Sequence, residues 1–387
     1  MVPEGWKIAT IEDIAQVSSG GTPSRKNDNF WGGDIPWVTT AEVQSNVIFD
    51  TAEKITEAGL KGSSAKLFPV NTLLIAMYGQ GKTRGKIAKL GIEAATNQAC
   101  AAIIVKNEHH VDYYFQFLSG QYENLRDLSN DGGQKNLSAG IIKTFSVLVP
   151  PLPEQKKIAQ ILSTWDKAIT TTEQLLANSQ QQKKALMQQL LTGKKRLLDD
   201  NGIRFSGEWK HGYLSDIAKI AKGKALSSRN LTEGSYPVIA GGKTSPYSHS
   251  EFTHENIITV SASGAYAGYV AYHPHKIWAS DCSVVAAKKN SSTLFVFQLL
   301  TYLQNKIYSL QSGGAQPHIY PKDLDTLKVF IPAGAEQQKI AAVLTSADQE
   351  IDSLQQKIEA LKQEKKALMQ QLLTGKRRVK TDDKEVA

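Results

Sequence analysis

Cysteine is nearly absent from this chain, with two among 387 residues. Cys100 and Cys282 each sit in an apolar stretch, so they read as buried free thiols of a reducing cytoplasm rather than as a disulfide framework. There is no Cys-x-x-Cys. Long apolar runs are missing too. The longest unbroken one is Ala99 to Val105, against the roughly 18 residues of a membrane span. The opening Met1-Val2-Pro3-Glu4-Gly5 carries no basic segment followed by an apolar one, so no secretory signal is expected. The chain also lacks an acidic excess. Its 45 Lys and Arg outnumber 37 Asp and Glu, for a net charge of +8. A polyanion is the usual partner for such a balance, and nucleic acid leads the candidates. The 41% hydrophobic content is ordinary, and the length suffices for two or three domains with their own cores.

What the chain does have is repetition. Residues 183–194 and 365–376 both read KKALMQQLLTGK, a spacing of 182 residues. At that spacing Glu154-Gln155 meets Glu336-Gln337, Lys157-Ile158-Ala159 meets Lys339-Ile340-Ala341, Asp166 meets Asp348, and Pro150 meets Pro332. Gly132, Gln134 and Leu137 meet Gly314, Gln316 and Ile319. A second echo opens each half at a spacing of 203: Trp6-Lys7 with Asp13-Ile14-Ala15, and Trp209-Lys210 with Asp216-Ile217-Ala218. The layout is globular segment, helix, globular segment, helix. The helical parts agree and the globular parts diverge, as two halves doing one job on different targets would.

Each helical repeat begins near proline and Glu-Gln and stops at a glycine followed by cations, Gly193 with Lys194-Lys195-Arg196 and Gly375 with Lys376-Arg377-Arg378. Proline suits a first turn, acidic side chains complement the positive helix end, and glycine just past the last turn ends the helix. Glu154 to Thr192 is 39 residues, or roughly 58 Å if continuous. The second repeat shows a 3-4 apolar seam with one lysine in it: Ile351, Leu354, Ile358, Leu361, Lys365, Leu368 and Leu372. The matching positions in the first are more polar: Ile169, Thr172, Leu176, Ser179, Lys183, Leu186 and Leu190. The simplest arrangement pairs the two helices with each other; separate packing on their own domains is the alternative.

The globular segments read as mixed α/β, with strand-like runs at 72–76, 99–105, 257–260, 284–287 and 326–331. Gly- and Ser-rich loops between them carry basic, amide and aromatic residues, a mix suited to phosphates and base edges. The candidate DNA contacts are Ser24, Arg25, Lys26, Tyr78, Lys82, Arg84, Lys86, Gln134, Lys135 and Asn136 in the first segment. In the second they are Lys224, Lys243, Tyr247, Tyr266, Gln316 and His318. For each, a plain solvated loop side chain is the competing interpretation.

Enzyme readings find little to stand on. Ala76 to Thr83, AMYGQGKT, nearly matches a phosphate-binding loop after a strand, yet the residues that follow are poor helix formers. No (Asn/Asp)-Pro-Pro-aromatic motif for a methylated base is present, the one Pro-Pro being Pro150-Pro151 between Val149 and Leu152. His273, His275 and Cys282 lack a fourth metal ligand. A nucleotide-binding protein built on Gly79 to Thr83 is kept as a remote alternative; no catalytic residue is assigned.

Two divergent segments alternate with two near-identical helical regions, PLPEQKKIAQIL…LLTGKKR and PAGAEQQKIAAVL…LLTGKRR, after the opening GWKIATIEDIAQVSSGGTP. In this the chain resembles the specificity subunits of type I restriction–modification systems over essentially its whole length. The stretch NTLLIAMYGQGKTRGKIAKLGIEAATNQACAAI is similar to one class of target-recognition domain. The resemblance implies an α/β (α+β) fold with an internal pseudo-twofold repeat, in which two mixed target-recognition domains are separated by two long antiparallel coiled-coil helices. The expected boundaries are 1–150 and 198–332 for the recognition domains, 151–197 and 333–380 for the helical spacers, and 381–387 for a tail. It implies a non-catalytic subunit that directs two methyltransferase subunits, and motor-nuclease restriction subunits where present, to a bipartite site in double-stranded DNA. No cofactor is expected on this chain; S-adenosylmethionine, ATP and Mg2+ belong to those partners. A modification-only or other defence complex of the same layout is the alternative. One departure stands out: Ala333-Gly334-Ala335 replaces the Pro151-Leu152-Pro153 of the first repeat.

Overall fold

The computed structural model describes residues 2–79, 82–128, 136–314 and 316–381. It divides into two units. The first comprises residues 1–171 with 357–387, and the second residues 172–356, so the division falls inside both long helices.

In the first unit the fully buried runs LLIA and CAAI become the centre of a five-stranded sheet. Its order is Ala15–Ser19, Cys100–Val105, Leu73–Ala76, Ile87–Leu90, Val47–Ile48. The central pair is antiparallel, with Ala101 opposite Ile75 and Ile103 opposite Leu73. A second sheet of four strands holds Trp31–Val38 beside Glu53–Ile55. Trp37, Ile55, Ala65 and Ala95 form a small core there. A ladder of Lys7–Thr10 with Ser146–Val149 leads into the first long helix.

The second unit repeats this plan with fewer strands. Ala218–Lys222, Cys282–Ala287, Ile257–Ser261 and Val270–His273 form an antiparallel sheet in that order. Tyr236–Ile239 lies between Ser248–His249 and Trp278–Ala279 in a smaller one. Lys210–Tyr213 pairs with Lys328–Ile331 ahead of the second long helix. The five strand-like runs of the sequence all become strands, each within two residues of its expected ends. Both cysteines are buried and free, and burial pushes each thiol up to about 12.

The long helices are Leu152–Leu190 and Gly334–Leu372, each 39 residues and offset by 182. They start alike despite the different residues before them. Gln155 Nε2 donates to the Pro150 carbonyl at 2.8 Å, and its Oε1 accepts from the His110 N–H at 2.9 Å. Gln337 makes the same pair of bonds to Pro332 and Ser292 at 2.9 and 3.1 Å. The glutamine ties the first turn to the domain, so the change from Pro-Leu-Pro to Ala-Gly-Ala leaves the helix start as it was. Both helices give way to left-handed glycines, Gly193 at φ +71° and Gly375 at φ +68°. A side chain at Gly375 would also collide with Pro3.

Within each unit one segment of each long helix pairs with the other, and the pairing is antiparallel. In the first unit Asp166 binds Lys365, and Glu154 binds Arg378. In the second Asp348 binds Lys183, and Glu336 binds Arg196. The expected seam residues Ile169, Leu176, Leu186, Leu190, Ile351, Leu354, Ile358, Leu361, Leu368 and Leu372 are buried or half-buried. The apolar stripe is wider than that seam. Ile158, Leu162 and Leu373, outside that seam, belong to the first domain's core, and Met187, Leu191, Ile340 and Leu344 to the second's. A helix end that faces both a partner helix and a sheet needs two apolar faces.

Candidate nucleic-acid interface

In the first unit the Ser24-Arg25-Lys26 loop is exposed but anchored. Trp31 Nε1 donates to the Ser24 carbonyl at 3.2 Å. The Arg25 guanidinium lies 3.7 Å from the Trp31 ring centre and forms a two-pronged pair with Glu53. Glu53 holds that guanidinium's pKa up and is itself held down by it. Preceding glycines Gly20 and Gly21 press their backbone against Thr96 and against Ser64 and Ala65, inside their own domain. Their smallness therefore serves packing rather than the approach of a partner.

The Lys82 to Lys86 segment is a turn, not a helix start. It leads straight into Ile87–Leu90, which pairs antiparallel with Leu73–Ala76. A phosphate-binding loop needs a helix whose first N–H groups face the phosphate, and a strand follows here instead. The nucleotide-binding reading has no support. Lys82 is exposed, and its carbonyl accepts from the Tyr122 hydroxyl at 2.8 Å. Arg84 turns inward: its Nη2 donates to the Arg126 carbonyl at 3.1 Å, and its Nε is buried without a partner. Lys86 Nζ donates to Gln44 Oε1. Tyr78 is exposed beside the Met77 carbonyl, which accepts from the Leu137 N–H at 3.0 Å, so half-buried Asn136 comes close to it along the chain. Gln134 and Lys135 lie outside the described residues.

The second unit gathers its candidates more tightly. The backbone joins Ala262 to Ile319 at 2.9 Å and Gly264 to Pro317 at 3.1 Å. That brings the Gly264–Tyr266 turn beside Gln316 and His318. Lys243 Nζ sits 5.4 Å from the Tyr266 ring centre and 5.3 Å from that of Tyr269. His318 stacks on Tyr320 at 6.2 Å. Lys243, Tyr266, Gln316 and Tyr320 are exposed. Lys224 and Tyr247 occupy a second group on the smaller sheet. Lys224 Nζ lies 4.9 Å from the Trp278 ring centre, and the Tyr247 carbonyl accepts from the Val238 N–H at 3.0 Å.

Lysines over tyrosine faces, with amide and imidazole groups alongside, can pair with phosphate and stack or hydrogen-bond with bases. Tyr320 was already legible as a loop aromatic near the Gly-x-Gln element, whereas sequence reading missed Tyr269 and the Trp31–Glu53 setting of Arg25. The Gly-Ala-Tyr-Ala-Gly-Tyr string at 264–269 was the visible signal for the first of these. His273, weighed as a metal ligand, lies 2.8 Å from Thr259 Oγ1. Among the described residues no group of three or more His, Cys, Asp or Glu is placed to hold a metal ion, and no helix is long and apolar enough to cross a membrane.

Comparison with known proteins agrees with this layout. The MjaIX specificity subunit of Methanocaldococcus jannaschii, from a type I restriction enzyme, is 32% identical over 176 residues, which span 43% of this chain and 39% of that protein. The EcoprrI specificity subunit of Escherichia coli is 26% identical over 363 residues, 89% of this chain and 88% of its own. The type I restriction–modification S subunit of M. genitalium superposes with a TM-score of 0.69 at 16% identity, over 96% of this chain and 99% of that one. Residues 3–178 and 206–363 match the type I restriction modification DNA specificity domain. With one such domain in each half and most of its length matched, the chain belongs to the type I restriction–modification specificity family.

Proposed function

We propose that this chain is the specificity subunit of a DNA-modifying complex and that its two domains read the two halves of a bipartite site in double-stranded DNA. The paired long helices set the gap between them. Two methyltransferase subunits carrying S-adenosylmethionine do the chemistry, joined in cleaving systems by restriction subunits that use ATP and Mg2+. The chain works in the cytoplasm and binds no cofactor itself. The observation that carries this reading is the repeat. The contacts of Glu154, Gln155 and Asp166 in the first unit recur at Glu336, Gln337 and Asp348 in the second, while the loops differ in length, charge and aromatic content.

The contacts proposed for DNA are Lys82 and Tyr78 in the first domain and Lys243, Tyr266, Gln316, His318, Lys224 and Tyr247 in the second. Arg25 would have to exchange Glu53 for DNA. Mapping methylated sites in host DNA with and without the gene tests the reading: one two-part motif with an unread gap should vanish. The purified chain with S-adenosylmethionine alone should methylate nothing. Loss of a continuous motif, or methylation by the lone chain, overturns it.

A further inference from the structure

The two lysines inside the helical seam occupy equivalent places and meet equivalent partners. Asp166 accepts from Lys365 at 2.5 Å and, through Oδ2, from Gln116 Nε2 at 2.5 Å. Asp348 accepts from Lys183 and from Gln298 Nε2, the latter at 2.6 Å. Gln116 lies on the Val111–Gly120 helix of the first domain, and Gln298 on the Thr293–Tyr302 helix of the second. One carboxylate therefore ties three elements together in each unit: its own long helix, the opposing helix, and the globular domain. Both glutamines are 1% exposed, and the Oε1 of each is buried without a partner. An apolar side chain there would spare that unpaired oxygen. Stability alone does not account for the arrangement.

Registration does. An apolar seam at 3-4 spacing is satisfied again after a slip of one heptad, because leucine meets leucine in either register. A charge in the seam is satisfied in one register only, since a slip strands lysine and aspartate among apolar neighbours. A seven-residue slip displaces one helix by roughly 10 Å, which is about three base pairs of duplex.

We infer that the Gln116–Asp166–Lys365 and Gln298–Asp348–Lys183 clamps are positioning residues for target choice, setting which gap between half-sites the chain accepts. This rests on the reading of the chain as a two-site DNA reader.

The test is selection of bound duplexes from a random pool by the full-length chain, followed by sequencing. The wild type should return two half-sites at one spacing; a wild type that returns no two-part motif overturns the reading beneath, not the clamp. Lys365→Met keeps the length of the side chain and removes its charge. It should return the same half-sites while enrichment of the preferred spacing over neighbouring ones falls about tenfold. Exchanging the pair, Asp166→Lys with Lys365→Asp, should restore the narrow spacing, which a merely structural role would not produce. Should Lys365→Met fail to fold, Lys183→Met carries the test with the same expected outcome, because it removes the equivalent charge from the Asp348 clamp. Unchanged spacing in the folded variants, or altered half-site letters, overturns the proposal.

Discussion

Removing Arg196 exposes how much the second long helix depends on one buried carboxylate. Glu336 has a side chain 1% exposed and accepts from Arg196 Nε at 2.6 Å, Arg196 Nη2 at 2.7 Å and Trp209 Nε1 at 3.0 Å. Arg196→Met leaves that charge with the indole alone. Stripping one partner from a buried pair costs about 3–5 kcal/mol, far more than the pair's net worth. Arg196 itself is 21% exposed, so water reaches the gap and the lower end, about 3 kcal/mol, applies. That is about a hundredfold in the opening equilibrium. The matching change in the first unit, Arg378→Met, costs less. Arg378 is 43% exposed, and screening leaves about 1 kcal/mol there. Hydrogen exchange read on peptides covering 334–345 and 152–163, with urea unfolding beside it, measures both. Adding Glu336→Leu to Arg196→Met should recover most of the loss, since no charge is then left buried. Equal effects in the two units, or a loss under about 1 kcal/mol in the second, would refute the reasoning.

Lys82→Gln should lower the slope of log affinity against log salt by about one unit, whereas Arg84→Gln should leave the slope and destabilise the first unit; a slope that moves only with Arg84 places the inward guanidinium on DNA after all. Neither cysteine should react with a thiol reagent at pH 8 in the folded protein, because thiols pushed up to about 12 stay protonated there; rapid labelling of native protein contradicts the burial. Burial lowers His273 below its ordinary 6.5, so the unfolded chain protonates first, and the stability this contributes is full above about 6.5 and is lost as pH falls. His273→Asn should flatten the acid side of the second unit's stability curve, measured by urea midpoints from pH 7.5 to about 5. Matched four-residue insertions after Ser179 and Leu361 add about one turn and roughly 6 Å to both helices, so the unread gap should lengthen by one to two base pairs with both half-sites unchanged; an unchanged gap removes the helices as the ruler.

The long helices were legible almost to the residue because their signals are local: repeated letters, apolar spacing, and a glycine stop. The expected span of 154–192 and the observed Leu152–Leu190 differ by one half-turn at each end. Strands made of unbroken apolar residues were legible for the same reason. Trp31–Val38 was not, since WGGDIPWV reads as a loop. It becomes a strand through pairing with Glu53–Ile55, with a register shift between Trp31 and Ile35, and through burial of Trp37. The candidate contacts were the least legible. Whether a loop arginine is free depends on a partner distant in sequence, as Glu53 is for Arg25 and the Arg126 carbonyl for Arg84.

The seam lysines mark the boundary between these two kinds of knowledge. Periodicity placed them inside a helix interface, where an unpaired charge is costly, so a partner was required. Naming that partner needs a direction and a register for the opposing helix. The internal repeat supplies a constraint on both, because any contact from the first helix to the second must reappear with the roles exchanged. Asp166 with Lys365 and Asp348 with Lys183 satisfy it, as do Glu154 with Arg378 and Glu336 with Arg196. A parallel arrangement in matched register would set Lys183 beside its own equivalent, Lys365, and bring like charges together. The charge pattern of two matching helices thus selects the antiparallel pairing. The loops carry no comparable constraint. A lysine over Tyr266 and an arginine over Trp31 need no counterpart in the other half, and each domain is free to present its own surface.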